Sequence, residues 1–393
     1  MKRALTILAV ALAGALPSIS QSLDDLNIQI HGYATQGFLY STNNNFFTTS
    51  SSNGSPAWSE AVFNVSSQPD PKLRVAVQAR YFMLGNYGNE ITLDWAMADY
   101  KFNEKLGVRF GKVKSPTGLW NELQDIDPSY IWSLLPQGVY PISSRNSLLS
   151  HYGGVAYGTY NLGQRFGKLD LRAFGGERVM GSNDGFLLAQ KEAGMIFPNG
   201  INGATYGGAL RWRTPLNGLM VGASSMTQLA MIVPIKFTIP AGPIAGTYTG
   251  TQRVSPFNQI DYFGKYEKNK VMVAGEYTRL PVHLVMTYPL PVGPIPIKND
   301  QHTWYGMASY KVTGKLTAGV YDSQLVIHSA LLGPGRYSKD WAISGRYDFN
   351  QFLYAKAEQH FVDGTATSYD QDMNPDGLKP NSKLTILKMG VSF

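Results

Sequence analysis

Apolar and polar residues alternate in KLTILKMGVSF, the last eleven residues of the chain (383–393). Successive side chains of a β-strand point to opposite faces, so one face would carry Leu387, Met389, Val391 and Phe393, and the other would carry Lys388. In a soluble sandwich the apolar face would cover a core. In a membrane barrel it would face lipid, with the aromatic residue at the membrane interface. The last strand alone leaves both architectures open.

Similar alternation recurs along the chain and predicts sixteen strands. The predicted segments are 27–41, 58–67, 72–83, 90–101, 105–113, 151–161, 167–177, 204–213, 217–227, 257–267, 270–280, 301–311, 314–327, 339–348, 351–362 and 383–393.

The connections between these segments alternate between short turns and longer loops. Short turns such as QPDP (68–71), TPLN (214–217) and KN (268–269) contain residues typical of tight turns. A soluble sandwich has no reason to sort its connections in this way, whereas an outer-membrane barrel has short periplasmic turns and long external loops. The pattern therefore predicts an all-β protein, a 16-stranded antiparallel up-and-down transmembrane β-barrel. A barrel of this size encloses a water-filled lumen.

The two faces of individual strands favour the same architecture. In 72–81 the outward set would be Leu73, Val75, Val77, Ala79 and Tyr81, and the inward set would be Arg74, Ala76, Gln78 and Arg80. Charged side chains are costly in a dry core without partners. A soluble barrel with an apolar interior is therefore the less favoured interpretation.

Composition narrows the possible classes of protein further. Charged residues make up 16% of the chain, below the roughly 25% of ordinary soluble domains. Cysteine is absent, which excludes disulfides, thiolate metal sites and a lipid-modified N-terminal cysteine. The net charge of +7 is mild and does not by itself indicate nucleic acid as a partner.

The first twenty residues have the pattern of a secretory signal peptide. Lys2 and Arg3 precede an apolar stretch at 4–16 that is too short to span a membrane, and Pro17 interrupts it. Ser18 and Ser20 are small residues suited to cleavage before Gln21. We therefore expect residues 1–20 to be removed and residues 21–393 to form a single outer-membrane β-barrel domain.

Two segments resemble a known family. IQIHGYATQGFLYS (28–41) and LGVRFGKVKSPTGLWNE (106–122) are similar to the first strand and to the strand-five-to-loop segment of the phosphate-selective porin O and P-like group of Gram-negative outer-membrane porins. The signal peptide, the sixteen strands, a brief second loop, a long loop after strand five and the terminal Phe extend this resemblance over the mature chain.

The resemblance implies a homotrimer in the cell outer membrane of a Gram-negative bacterium. It implies that Phe393 acts as an assembly signal for the barrel-assembly machinery. It also implies that the third external loop, about 114–149, folds into the lumen and narrows it.

The third loop and the wall carry the candidate selectivity residues. The loop holds Glu122, Asp125, Asp127 and Arg145, and its carboxylates would set up a transverse field if they faced basic residues across the lumen. Counting along each strand places these basic residues on the inner wall: Arg74, Arg80, Arg109, Arg172, Arg211, Arg213, Lys265, Lys315, Arg346, Lys356 and Lys388.

Fewer acids fall on the same inner wall: Asp94, Asp170, Asp261, Glu276, Asp348 and Glu358. The basic excess predicts a weak anion preference, with phosphate as a candidate solute. The alternative is that these charges only hydrate the lumen and pair with one another. A one-residue bulge would also invert several assignments.

Three external loops are apolar and rich in proline. They occupy 231–250, 280–299 and 325–338, with Gly-Pro pairs at 242–243, 293–294 and 333–334 that would sit at hairpin tips. We expect the adjoining strands to extend beyond the membrane and their tips to pack as an apolar wall. This wall would either bias the entrance toward hydrophobic solutes or only stabilise the rim.

The last long loop offers a weak calcium candidate: Asp370, Asp372, Asn374 and Asp376. Alternate oxygen ligands suit Ca²⁺, but the glycine position does not match an EF-hand, and Pro375 intrudes. Ordinary turn chemistry is the better interpretation, so no metal is predicted.

The sequence thus predicts a porin that allows passive diffusion of small hydrophilic solutes, surrounded by outer-membrane lipid and requiring no cofactor. A surface-adhesion or structural barrel is the alternative, and it would have a closed lumen. An outer-membrane barrel enzyme is less favoured, because the chain has no G-x-S-x-G elbow, no H-E-x-x-H pair and no phosphate-binding G-x-x-x-x-G-K-[ST] loop.

Overall fold

The computed structural model describes residues 26–192, 194–288, 294–329, 332–367 and 372–393. Its strands are β1 Gln29–Ser41, β2 Ser55–Asp70, β3 Leu73–Leu84, β4 Tyr87–Asn103, β5 Leu106–Lys114, β6 Ser150–Asn161, β7 Lys168–Met180, β8 Met195–Ile196, β9 Ile201–Arg213, β10 Leu219–Gln228, β11 Met231–Ile239, β12 Gly246–Val254, β13 Phe257–Lys268, β14 Val271–Thr287, β15 Ile295–Lys311, β16 Leu316–His328, β17 Tyr337–Asp348, β18 Leu353–Gly364 and β19 Asn381–Ser392.

Sixteen of these strands close an antiparallel barrel: β1–β7, β9, β10 and β13–β19. Each pairs with its neighbour, and β19 closes the ring on β1 with Tyr33 opposite Ser392. The sixteen predicted segments coincide one for one with these strands, so the predicted fold is confirmed. The predicted signal peptide lies outside the described residues and stays a prediction.

Helices are short in the described part of the chain. The α-helices are Arg145–Leu149 and Gly185–Glu192, and the 3₁₀ turns are Ser51–Asn53, Asp127–Ser129, Ile142–Ser144 and Gly333–Arg336. None of the helices in these residues has the length and apolarity to cross a membrane.

The barrel wall shows the predicted alternation of faces. In β18 every second side chain is buried toward the lumen, from Tyr354 to Val362. On the outer face Leu387 and Met389 of β19 are about half exposed, as expected of side chains that face lipid. The wall therefore presents apolar residues outward and a polar set inward.

The terminal residue closes the seam between the two ends of the chain. The backbone N–H of Phe393 donates to the carbonyl of Gly32, and the N–H of Gly32 donates to the carbonyl of Phe393, both at 3.0 Å. A Cβ on Gly32 would lie 2.8 Å from the Phe393 ring, which is too close for a side chain. Only glycine therefore leaves room for the ring in this position. The role of Phe393 as an assembly signal stays a prediction.

Two of the three apolar loops form a wall above the barrel. The hairpin β11–β12 pairs with β8 on one side and with the extended end of β14 on the other. The buried face of this hairpin packs in an apolar cluster, called the outer apolar cluster below. Its members are Leu187, Met195, Phe197, Val233, Ile235, Met286 and Tyr288.

The prediction that the third apolar loop joins this wall is wrong. Its Gly333–Arg336 turn packs against β16, β17 and β18 instead, and the carbonyl of Pro334 accepts from the N–H of Thr365. The reason is that β15 and β16 pair only as far as His328 opposite Asp300, short of the tip of β14–β15. Of the three Gly-Pro pairs, Gly293 lies outside the described residues.

We expect Ile235→Ala to loosen the outer apolar cluster, because Ile235 is fully buried there and truncating a buried Ile costs about 2–5 kcal/mol. The matched control is Ile232→Ala, which removes a 60% exposed side chain from the opposite face of the same strand. Protease cleavage within residues 231–254 should become faster in Ile235→Ala only. Equal cleavage rates in both variants would contradict the packing described here.

Candidate functional site

The loop between β5 and β6 enters the barrel. It occupies residues 115–149 and is called the inserted loop below. Its backbone N–H at Gly118 donates to Ser224 of β10 at 2.8 Å, and the N–H groups of Ser133 and Leu134 donate to Glu358 of β18 at 3.0 and 3.1 Å. The loop therefore spans the lumen from one wall to the other, which confirms the predicted in-folded third loop.

An apolar patch holds the middle of the inserted loop. Leu119, Trp120, Trp132, Leu135 and Tyr140 pack on inward side chains of β13–β17, namely Phe263, Ala274, Tyr305, Met307, Tyr321 and Ala342. The rings of Trp132 and Tyr321 meet edge to face, with centroids 5.3 Å apart. Apolar and aromatic side chains therefore fill this part of the lumen, which the strand patterns did not predict.

Two wall carboxylates bind the loop instead of facing solutes. Glu276 accepts from the N–H of Leu119 at 3.2 Å and from the hydroxyls of Tyr140 and Tyr305 at 2.6 and 2.7 Å. Glu358 accepts the two loop N–H groups named above and also contacts His360 at 2.8 Å. Buried backbone donors need such partners, so these inward acids have a structural role.

Asp127 connects the inserted loop to the last two strands. Its carboxylate lies 3.0 Å from the Lys356 ammonium and 2.6 Å from that of Lys388, and it accepts from the Tyr354 hydroxyl at 2.7 Å. Burial alone would raise the pKa of Asp127, but the two ammonium groups lower it well below its ordinary value.

Asp125 and Arg145 make two further connections to the wall. Asp125 pairs with Lys114 at 2.7 Å and accepts from Gln78 and Trp95. Arg145 forms a two-pronged pair with Asp94 of β4, at 2.8 Å for both bonds. Burial would lower the pKa of Arg145, but Asp94 raises it.

Glu122 faces three wall arginines. Arg109, Arg172 and Arg211, on β5, β7 and β9, form the arginine cluster. Arg172 contacts Glu122 directly, Arg211 lies 2.9 Å from it and Arg109 lies 3.8 Å from it. Arg109 also pairs with Asp99 at 2.9 Å. One loop carboxylate thus holds three guanidinium groups together.

The charged side chains on the two sides of the lumen differ in solvent exposure. The side chains of the arginine cluster are 15–25% exposed, and Glu122 is 15% exposed. By contrast, Lys356, Lys388 and Asp127 are at most 2% exposed. Solvent therefore reaches the β5–β9 side of the inserted loop, whereas the β18–β19 side is sealed by ion pairs.

The remaining wall candidates are distributed around the barrel. Arg80 pairs with Glu60 at 2.6 Å, Arg213 with Asp170 at 2.9 Å, Lys265 with Glu267 at 2.9 Å and Arg346 with Asp348 at 2.8 Å. Arg74 is exposed at the turn end of β3.

The prediction that Lys315 lies on the inner wall is wrong. It lies in the turn between β15 and β16, and its ammonium group donates to the carbonyl of Phe349 in the next turn. The predicted segment began at 314, two residues before β16 does.

Asp99 and Glu60 are inward acids that strand counting missed. The strand β4 has a bulge at Asp94, because Gln78 lies opposite Trp95 while the next residue, Ala79, lies opposite Leu93. The bulge exchanges the inward and outward faces for the residues that follow it. Asp99 therefore points inward beside Arg109. Only the pairing with β3 reveals this shift, since a bulge leaves no clear mark in the sequence.

The predicted transverse field is corrected by these contacts. The loop carboxylates Glu122, Asp125 and Asp127 do not face basic residues across an open gap, because each touches a basic residue on the wall. The alternative that the charges pair with one another describes most of the lumen.

Of the calcium candidates, Asn374 is used for loop packing. The Asn374 side chain accepts from the N–H of Asn45 at 2.8 Å and donates to its carbonyl at 3.1 Å. Asp370 lies outside the described residues.

No family model and no curated protein match the chain in sequence. Solved structures do match it in fold. An anion-selective porin from Comamonas acidovorans is 8% identical, with a TM-score of 0.54 over 93% of this chain and 99% of the porin. OmpF of Salmonella typhi in complex with daunomycin is 14% identical, with a TM-score of 0.56 over 95% and 99%.

A third similar structure is the trimer form of OmpT, an outer membrane protein of Vibrio cholerae. It is 11% identical, with a TM-score of 0.53 over 93% of this chain and 99% of that chain. The chain therefore has the fold of these outer-membrane proteins.

We expect Asp127→Asn to destabilise the protein by about 3–5 kcal/mol at neutral pH, because it leaves two buried ammonium groups without their carboxylate. The lowered pKa of Asp127 means that its contribution is complete above about pH 4 and is lost as the pH falls further. Thermal unfolding at pH 7 and pH 3 measures both effects.

The control for this variant is Asp348→Asn, which removes a 38% exposed carboxylate paired with Arg346. Equal destabilisation by the two variants at pH 7 would show that Asp127 does not anchor the loop.

Proposed function

We propose that this chain is an outer-membrane porin that allows passive diffusion of small hydrophilic solutes and has a weak preference for anions. The observation that carries the proposal is the partly exposed arginine cluster beside the inserted loop. It is a basic site that solvent reaches in a lumen whose other charged contacts are mostly buried.

The local charge balance supports the sign of this preference. Arg109, Arg172 and Arg211 are opposed by Glu122 and Asp99, so one positive charge remains. The inward side chains of Arg213 and Lys265 are more exposed, and each pairs with an acid. A basic ring at a constriction favours anions, and charged walls raise the local concentration of counter-ions.

Phosphate is a candidate solute within this class. Guanidinium groups bind phosphate through two parallel hydrogen bonds, and three of them meet at one carboxylate here. The similar fold of an anion-selective porin agrees with an anion path. The proposal predicts that phosphate reduces chloride current by competing for the arginine cluster.

A surface-adhesion or structural barrel is the second candidate function. It is favoured by the way the inserted loop contacts opposite walls, at Ser224, Glu276 and Glu358. Planar-bilayer recording of the folded protein distinguishes the two functions. Stepwise conductance supports the porin, and a folded barrel without conductance supports the closed structural barrel.

We also propose a homotrimer. The outer face of β16–β19 and β1 has an apolar concavity, lined by the small residues Gly345, Ala355 and Ala357 and by the larger Phe38, Leu387 and Met389. Shape complementarity with another copy would be possible there, and a similar fold occurs as a trimer form. The rest of the apolar outer face would contact outer-membrane lipid.

Removing Glu122 and removing Arg211 should have opposite effects. We expect Glu122→Gln to raise the anion-to-cation permeability ratio and Arg211→Gln to lower it, each by roughly fivefold, since unit charges 4 Å apart in water interact by about 1 kcal/mol. Reversal potentials in a KCl gradient measure the ratio.

The control for this pair is Arg74→Gln, which removes an exposed inward charge at the turn end of β3. Shifts of the same sign in Glu122→Gln and Arg211→Gln would contradict an anion path through the arginine cluster.

We expect Ala357→Trp to abolish the trimer by filling the outer concavity, while remaining compatible with lipid. Ala173→Trp is the matched control, because Ala173 faces outward on β7, at the opposite side of the barrel. Mass measurement in detergent gives the oligomeric state. A trimer that persists in Ala357→Trp would rule out this face as the interface.

A further inference from the structure

A small cavity lies between the inserted loop and the wall formed by β2, β3 and β19. Its lining includes Arg80 of β3, Lys388 of β19 and the loop residues Ser133 and Arg145. The cavity measures about 30 Å³, which suits one or two particles of the size of water. It lies on the sealed side of the lumen, apart from the arginine cluster.

Three polar atoms of this lining are buried without a partner among the described residues. They are Nη2 of Arg80, Nε of Arg145 and Oγ of Ser133. The residues themselves are only 1–3% exposed. Two of these atoms belong to guanidinium groups, whose unmet donors are costly in a buried site.

Each of the other nitrogens of both arginines has a hydrogen-bond partner. Arg80 gives Nε to Glu60 and Nη1 to Asn146, and Arg145 gives both terminal nitrogens to Asp94. The carboxylates of the lining accept from other donors and make no hydrogen bond to these three atoms. Glu60 is held by Arg80 and Tyr33, and Asp127 by Lys356, Lys388 and Tyr354.

The charges around the cavity do not balance. The charged residues of the lining are three cations, Arg80, Arg145 and Lys388, and two carboxylates, Glu60 and Asp127. Water would satisfy hydrogen bonds but would leave the extra positive charge, whereas a monovalent anion would satisfy both requirements.

We propose that this cavity binds one small monovalent anion of the size of chloride, and that the anion links the inserted loop to the wall. Arg145 and Ser133 contribute from the loop, and Arg80 contributes from β3. An anion of this size matches a cavity of about 30 Å³. The site therefore differs in ligand and position from the solute path along the arginine cluster.

Bromide replaces chloride and can be located by anomalous diffraction. Crystals of the full protein, folded in detergent and grown in bromide, should show one anomalous peak in this cavity, within hydrogen-bond distance of Arg80 Nη2 and Arg145 Nε. A cavity without an anomalous peak would mean that it holds water only, and the proposal would be wrong.

Thermal unfolding gives a second, independent test. At constant ionic strength, with gluconate as the large replacement anion, the unfolding midpoint should rise with chloride and then saturate. Arg80→Lys keeps the charge beside Glu60 but removes Nη2, and Ser133→Ala removes the hydroxyl. Each variant should weaken the apparent chloride affinity by about tenfold.

Arg74→Lys is the matched control, because Arg74 lies on the same strand and the same face but is exposed. It should keep the chloride dependence of the unmodified protein. If the chloride dependence is the same in Arg80→Lys as in Arg74→Lys, the stabilising anion is not bound in this cavity.

Discussion

The inserted loop can fill the barrel only because the wall supplies a partner for each charge that the loop buries. An unpaired charge in a buried site costs several kcal/mol, and this loop brings in Glu122, Asp125, Asp127 and Arg145. Each of the four meets an opposite charge from a different part of the wall. Many basic residues of the lumen are therefore first of all structural, since they hold the loop in place.

This constraint makes the lumen asymmetric. On β13–β17 the loop packs through aromatic and apolar residues, and on β18, β19 and β4 it is held by buried ion pairs. Among the charges that the loop contacts, those on the side of β5–β9 are the most accessible to solvent. For the proposed porin, the solute path is the space that the loop leaves open, and the charge of that path is set by the groups that remain after the loop is anchored.

The sixteen strands could be predicted because a period of two is a local property that each segment carries by itself. The position of the inserted loop inside the barrel could not be predicted, because its contacts join residues that are distant in sequence. Asp127 and Lys388, for example, are 261 positions apart. The facing of Asp99 depends on a bulge visible only in the strand pairing. The inward aromatic Tyr321 resembled any aromatic residue of a barrel strand, so the apolar patch around Trp132 left no separate signal in the sequence.

Counting charges on the inner wall is therefore a poor guide to the selectivity of such a barrel. Eleven basic residues against six acids suggested an overall basic lumen, yet nine of the eleven form ion pairs with acids, several of them from the loop and from residues that counting missed. What matters is where pairing is incomplete and solvent has access. Beside the inserted loop, those two conditions coincide at Arg109, Arg172 and Arg211, where three guanidinium groups meet the single carboxylate of Glu122.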